Sequence, residues 1–184
     1  MMRLNKTLNN VNTPILTWGN PFEANGKEVI ICVTGNPGIS DFYIEFAEEL
    51  HKTLNLPVIV VGQAGHEFSV DNEAISEKNK DLYNLQGQLK HKLDLIENYV
   101  DKKTYDEMDN VRSLNNEAIQ KITKKCNVIY SCNDGWAPLD YMADIKKQHP
   151  HLRMVEAANV AHSFVLKSSQ LVAEMVSNYI KEQK

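Results

Sequence analysis

Two ionisable residues in the C-terminal third stand where a parallel sheet places its chemistry. Asp134 follows the apolar run NVIYSC (127–132), and His162 follows the next run, LRMVEA (152–157). If both runs are parallel strands, both side chains project from strand carboxyl ends, where open α/β sheets build their sites. A carboxylate followed later in the chain by a histidine is also the order of the last two members of a hydrolase triad. In that role Asp134 would fix the tautomer of His162 and stabilise its imidazolium, while His162 would act as general base and then as acid. Plainer readings stand beside this one. Asn133-Asp134-Gly135 suits an Asx-turn, and His162 can be an ordinary loop histidine.

A second candidate lies near the N-terminus, where the apolar run VIICVT (29–34) stops at Gly35-Asn36-Pro37-Gly38. Neither the P-loop spacing nor Gly-x-Gly-x-x-Gly is met, and Pro37 has no N–H to offer a phosphate. Nucleotide binding is therefore set aside. A loop after an early strand is also where α/β-hydrolases place one donor of the oxyanion hole, and Asn36 is the natural donor here. The alternative is a turn whose glycines permit left-handed torsions.

Other constellations are weaker. Gly65-His66-Glu67 sets a histidine beside a carboxylate but lacks further ligands at suitable spacing, so no metal site and no cofactor is expected. Cys32, Cys126 and Cys132 form an odd set without metal spacing, as in a reducing compartment. Cys132 could attack as a thiolate beside a histidine, yet a small buried structural thiol is the ordinary reading. The alternating charges from Glu73 to Lys80 read as a solvated face.

The elements that must carry these residues follow from periodicity. Ile15–Gly19 and Val29–Thr34 are strand-like and flank the turn-forming NPFEANG, which predicts a hairpin. Tyr43, Phe46, Leu50 and Leu54 recur at helical spacing, with Ser40 or Asp41 as N-cap. Pro57–Val61 is apolar throughout, as in a strand covered on both faces, so strand, helix and strand make a parallel βαβ unit. Residues 62–80 read as irregular. Leu85, Leu89, Leu93, Ile96 and Val100 then mark the apolar face of a second helix. The stretch from 101 to 126 reads as further helix where the alternation calls for a strand. Strands at 127–132 and 152–157, a helix from Pro138 to Lys147 and a closing helix through Leu171, Met175 and Tyr179 complete the α/β pattern.

Bulk properties bound the partners. With 184 residues, 42% of them hydrophobic, the chain suits one ordinary α/β core. A formal net charge of -4 without a basic stripe argues against nucleic acid. The N-terminus has no apolar h-region, and VIICV and VIVV are far below the roughly 20 residues that span a bilayer. Contact with a membrane would be peripheral at most.

The segments VIICVTGNPGISDFYIEFAEEL, VIVVGQAGHE, LYNLQGQLKHKLDLIENYV, YSCNDGWAP and VAHSFV resemble, in order, the lipid droplet-associated hydrolases, a family of α/β-hydrolase serine ester hydrolases. The resemblance implies a mostly parallel sheet with helices on both faces. It implies that Asp134 and His162 are the triad's acid and base, and that Gly35, Asn36 and Gly38 form the oxyanion loop. It also implies neutral lipid or sterol esters as substrates, a role in lipid storage, and the surfaces of lipid droplets and the endoplasmic reticulum as location; otherwise the chain would be cytoplasmic.

One departure from the family is large. Its Gly-His-Ser-x-Gly nucleophile elbow, central strand and cap are absent, because ENYVDKK runs straight into TYDEMDNV at the Lys103–Thr104 junction. Residues 1–184 then read as one incomplete hydrolase domain with an internal deletion. Ser40, Ser69, Ser76, Ser113, Ser131, Ser163, Ser168, Ser169 and Ser177 all lack the Gly-x-Ser-x-Gly frame. Two readings result: an ester hydrolase without its nucleophile, or a non-catalytic lipid-surface or protein-binding scaffold.

Overall fold

The chain opens with a hairpin that periodicity alone misses. Strands β1 (Met2–Leu8) and β2 (Val11–Trp18) pair antiparallel, from Met2 opposite Thr17 to Leu8 opposite Val11. Asn9 and Asn10 turn the chain at φ 45° and 63°, the paired left-handed torsions of a type I′ turn, which asparagine tolerates. The structure, a computed structural model, describes residues 1–24, 28–67, 78–99, 116–135 and 137–183. These divide into two compact units, Met1–Tyr105 and Asp106–Lys184.

In the first unit β3 (Ile30–Val33), α1 (Ile44–Leu54) and β4 (Val58–Val61) form the expected βαβ, with β3 and β4 parallel. The strand order is β1-β2-β4-β3. The expected hairpin between residues 15–19 and 29–34 is therefore not formed: β2 pairs antiparallel with β4, and Pro21–Glu23 is a single 3₁₀ turn. The reason is burial. All four residues of β4 are buried and need neighbours on every side, whereas β3 ends in exposed Val33 and takes the edge.

Successive residues of a strand face opposite sides, and helices cover both. Ile59 and Val61 join Leu8, Ile15 and Leu95 in one core cluster. On the other face α1, whose Phe46, Ala47 and Leu50 are buried, packs on β2 and β4. Ser40 does not cap α1. It begins a 3₁₀ turn, Ser40–Tyr43, its N–H is drawn inward to the Glu67 carboxylate at 2.5 Å, and Tyr43 is the N-cap residue.

Helix α2 (Leu85–Tyr99) forms where expected but presents a different face. Its buried residues are Gly87, Gln88, His91, Lys92 and Leu95, while Leu85 is 76% exposed and Leu89, Leu93 and Ile96 are only half-buried. Polar bonds set this rotation: Gln88 and Lys92 bind the chain just after β4. The expected end of this helix at Val100, the further helix over 101–115, the junction at Lys103–Thr104 and most of the irregular stretch, 68–77, lie outside the described residues.

The second unit holds α3 (Asn116–Ile122), β5 (Asn127–Ser131), α4 (Leu139–Gln148), β6 (Arg153–Ala157), α5 (Phe164–Lys167) and α6 (Ser169–Glu182). Strands β5 and β6 are parallel, with Ile129 opposite Val155. Pro138 caps α4 from outside rather than opening it, and α6 contributes buried Val172 and Ala173. Both units thus follow the α/β plan, and the N-terminal hairpin makes the larger sheet mixed.

Candidate active site

In the second unit the parallel pairing of β5 with β6 brings two loops side by side. The Cys132 N–H reaches the Ala157 carbonyl at 3.4 Å, and the Ser131 hydroxyl donates to the Val160 carbonyl at 2.5 Å. These bonds tie the turn after β5 to the turn after β6, so Asp134 and His162 face one another. Oδ2 of Asp134 lies 2.6 Å from Nδ1 of His162. Its other oxygen, Oδ1, accepts the Ala137 N–H at 3.0 Å. Asp134 thus uses one carboxylate oxygen to hold its own loop and the other to hold His162.

The two partners differ in solvent exposure. The Asp134 side chain is 7% exposed and that of His162 54%. A carboxylate accepts only, so the bond requires the proton on Nδ1 and leaves Nε2 as the basic nitrogen. Among the described residues nothing bonds Nε2. The arrangement can take a proton from a hydroxyl or water presented to Nε2 and return it later, with Asp134 stabilising the imidazolium.

The loop Gly35-Asn36-Pro37-Gly38 lies in the first unit, where its backbone is held at several points. The Gly35 N–H donates to the Tyr43 hydroxyl at 3.0 Å. Gln63 bonds both ends of the loop, its backbone N–H to the Gly38 carbonyl at 2.8 Å and its side-chain amide to the Thr34 carbonyl at 3.0 Å. His66 Nδ1 bonds the Pro37 carbonyl at 2.5 Å. Gly38 sits at φ +86°, and a Cβ there would lie 2.4 Å from Cγ of Gln63. Glycine is required on both counts.

Asn36 is exposed, its bond to Pro37 is cis, and its N–H finds no acceptor among the described residues. That leaves a backbone donor without a partner among the described residues in an otherwise tethered loop. A preorganised donor of this kind suits a developing oxyanion.

Several expected groups take other roles. His66 and Glu67 do not converge on a metal: His66 binds Pro37, and Glu67 holds the Ser40 N–H and pairs with Arg3 at 3.7 Å. Among the described residues no three His, Cys, Asp or Glu side chains could hold a metal ion. All three cysteines are free, and burial pushes the Cys32 thiol up to about 12, so it stays protonated. Sequence reasoning missed Gln63, Gln88 and Lys92, a buried polar set behind the loop. The signal available was Gln88 and Lys92, four apart on one helical face, next to a leucine stripe that drew attention away.

The model of the family "Lipid-droplet associated hydrolase" matches residues 26–106 and 104–165. A lipid droplet-associated hydrolase of Drosophila melanogaster is 46% identical over 100 residues, which are 50% of this chain and 33% of that protein. The Homo sapiens protein of the same name is 35% identical over 86 residues, 41% of this chain and 26% of its own. The chain therefore spans about a third or less of the length of these relatives.

Two solved structures share the fold. A predicted CIB-like hydrolase from Thermoplasma acidophilum superposes with a TM-score of 0.62 at 12% identity, over 99% of each chain. Est1E from Butyrivibrio proteoclasticus gives 0.63 at 12% identity, over 98% of each. Among the described residues no helix is long and apolar enough to cross a membrane.

Proposed function

This chain belongs to the lipid-droplet associated hydrolase family, and from that premise we propose that it carries the acid–base half and the oxyanion loop of a serine ester hydrolase without the nucleophile. The observation that carries the reading is the 2.6 Å bond from Asp134 to His162, found in a sequence with no Gly-x-Ser-x-Gly frame. In the complete reaction His162 would take the proton of a serine hydroxyl as it attacks the ester carbonyl. The Asn36 N–H would meet the oxyanion, and His162 would then protonate the departing alcohol. Water would release the acyl group by the same steps.

Without the serine only binding and oxyanion stabilisation remain, a residual of about 10³–10⁴ over water in a triad enzyme stripped of its triad. Turnover is then negligible. We take neutral lipid or sterol esters as the substrate class and the surfaces of droplets and endoplasmic reticulum as the location; the names of the relatives support the droplet. An internal deletion at Lys103–Thr104 is supported by the family match falling in two pieces that meet there.

The test is restoration. A chain carrying a Gly-His-Ser-x-Gly segment between Lys103 and Thr104, with the strand and cap that accompany it, should hydrolyse a triglyceride or cholesteryl ester emulsion. His162→Ala in that chain should then cost several orders of magnitude, and Asp134→Asn about 10⁴-fold. Hydrolysis insensitive to both substitutions would remove the assignment. The missing frame also favours a second reading, a non-catalytic scaffold at a lipid surface. That reading is kept if the chain binds an emulsion equally well with His162→Ala.

A further inference from the structure

Lys92 is buried in α2 and points its ammonium at the chain after β4. Nζ donates to the Gly62 carbonyl at 2.9 Å, to Oε1 of Gln63 at 2.9 Å and to Oε1 of Gln88 at 3.0 Å. Among the described residues its bonds thus go to three neutral oxygens and to no carboxylate. Burying an ammonium among neutral acceptors is costly, and burial lowers the Lys92 pKa to about 8. The other ionisable groups here are Lys90, His91, Asp94, Glu97 and Tyr99 on α2 itself, Lys80 and Asp81 in the turn Lys80–Leu82 and Arg3 and Lys6 of β1 that pack on it, and His66 and Glu67 after β4. None of them bonds Nζ. Hydrophobic packing alone would put a leucine at this site, so the charge calls for another explanation.

Gln63 supplies it. A primary amide can sit either way round, and its neighbours choose the orientation. An ammonium only donates, so the oxygen of Gln63 must face Lys92. Its NH₂ group is then turned to the Thr34 carbonyl, where it bonds at 3.0 Å. The same residue's backbone N–H holds the Gly38 carbonyl at 2.8 Å. Gln88 supports the arrangement from α2 by accepting the Ala64 N–H at 2.8 Å and donating to the Ala64 carbonyl at 2.9 Å. The cation and the Thr34 carbonyl therefore select the same orientation of Gln63, whose side chain and backbone hold the loop at both ends.

We propose that Lys92 is the positioning residue of the Gly35–Gly38 loop: its donor-only ammonium dictates the orientation of Gln63, and Gln63 fixes the loop that presents the Asn36 N–H. The proposal rests on reading this loop as the oxyanion side of the site. It also has a consequence for pH. A neutral amine keeps two N–H groups for three acceptors, so loss of the proton releases one of the three bonds and weakens the hold on Gln63. With that bond weakened the Gln63 amide is held chiefly by the Thr34 carbonyl, and its grip on the loop loosens.

Nuclear magnetic resonance on the uniformly ¹³C,¹⁵N-labelled chain tests this without any substrate, so failure here is separable from failure of the hydrolase reading. Across about pH 6 to about pH 10, the amides of Gly35, Asn36 and Gly38 and the side-chain NH₂ of Gln63 should shift together. Their common midpoint should be that of Lys92, about 8. A His66→Gln variant should keep this midpoint, which separates it from titration of the imidazole on Pro37. Lys92→Arg, donor-only at every pH used, should remove the step with a midpoint of about 8 from the loop resonances. Lys92→Met should abolish the midpoint and speed exchange of the Gln63 backbone amide about tenfold or more.

Loop resonances that stay fixed while the Lys92 ε-methylene carbon titrates would overturn the proposal. So would unchanged Gln63 exchange in a folded Lys92→Met. If Lys92→Met does not fold, the parent titration and the Lys92→Arg chain decide the matter alone.

Discussion

The two units hold their candidate groups by opposite means. In the first, the loop is gripped through its own backbone by Gln63, His66 and Tyr43, and behind them stands a buried lysine. In the second, His162 hangs largely in solvent and is held by one carboxylate, itself buried and anchored by the Ala137 N–H. The sheets differ in the same sense. Every residue of β4 is buried between β2 and β3, while most of β5 and β6 is half-buried or exposed in a pair of strands. A backbone donor cannot be reoriented except by moving the chain, so its site needs a rigid frame. A general base swings on two torsions and needs only a partner to aim it. The contrast predicts that the first unit carries the greater share of cooperative stability.

Matched substitutions can break that contrast. Ile59→Ala and Ile129→Ala remove the same atoms from β4 and β5, but Ile59 is fully buried and Ile129 only partly. Urea unfolding should show a loss of about 2–5 kcal/mol for Ile59→Ala and clearly less for Ile129→Ala. Equal losses would mean that the strands of the second unit are as well covered as those of the first. Glycines give the next pair. Gly38→Ala meets Gln63 at 2.4 Å in a left-handed backbone and should cost about 1–3 kcal/mol or more. Gly135→Ala meets nothing within 4 Å and should be neutral or slightly stabilising by calorimetry.

The smaller effects concern charge. Asp134→Asn loses an ion pair whose histidine is more than half exposed, so stability should change by no more than about 1 kcal/mol, although the catalytic penalty in a restored chain is large. Lys92 gives a pH signature confined to the first unit. Burial lowers its folded pKa to about 8, below the ordinary lysine value of 10.5. Between these values the unfolded chain binds the proton that the folded chain has lost, so stability should rise with pH across that window. The buried Cys32 thiol acts in the opposite sense above about pH 9, so the rise is read as the difference in denaturant midpoint between the parent and Lys92→Met at each pH.

Much of this was legible in the sequence, for identifiable reasons. The βαβ unit announced itself because α1 has a strong apolar stripe and β4 is apolar throughout. Asp134 and His162 could be paired on paper because each follows a strand end, and parallel strands put those ends side by side. Strand β1 was missed because its alternation, Met2, Leu4 and Leu8 among polar residues, is sparse. The informative cue was Asn9-Asn10, the turn that reverses the chain. The expected 15–19 to 29–34 hairpin failed because neighbours in sequence need not be neighbours in a sheet when a later strand has more apolar surface to bury. Helix α2 was right in type and wrong in face, since Gln88 and Lys92 find oxygen partners inward that no hydrophobic count anticipates.

The central claim is that this chain keeps a hydrolase's base, orienting acid and oxyanion loop but has no activated serine. Intact-mass measurement after exposure to a fluorophosphonate serine probe tests it most directly. No adduct should form on the folded chain, and none after Cys132→Ala. A stoichiometric adduct on any serine, lost on unfolding or with His162→Ala, would contradict the account.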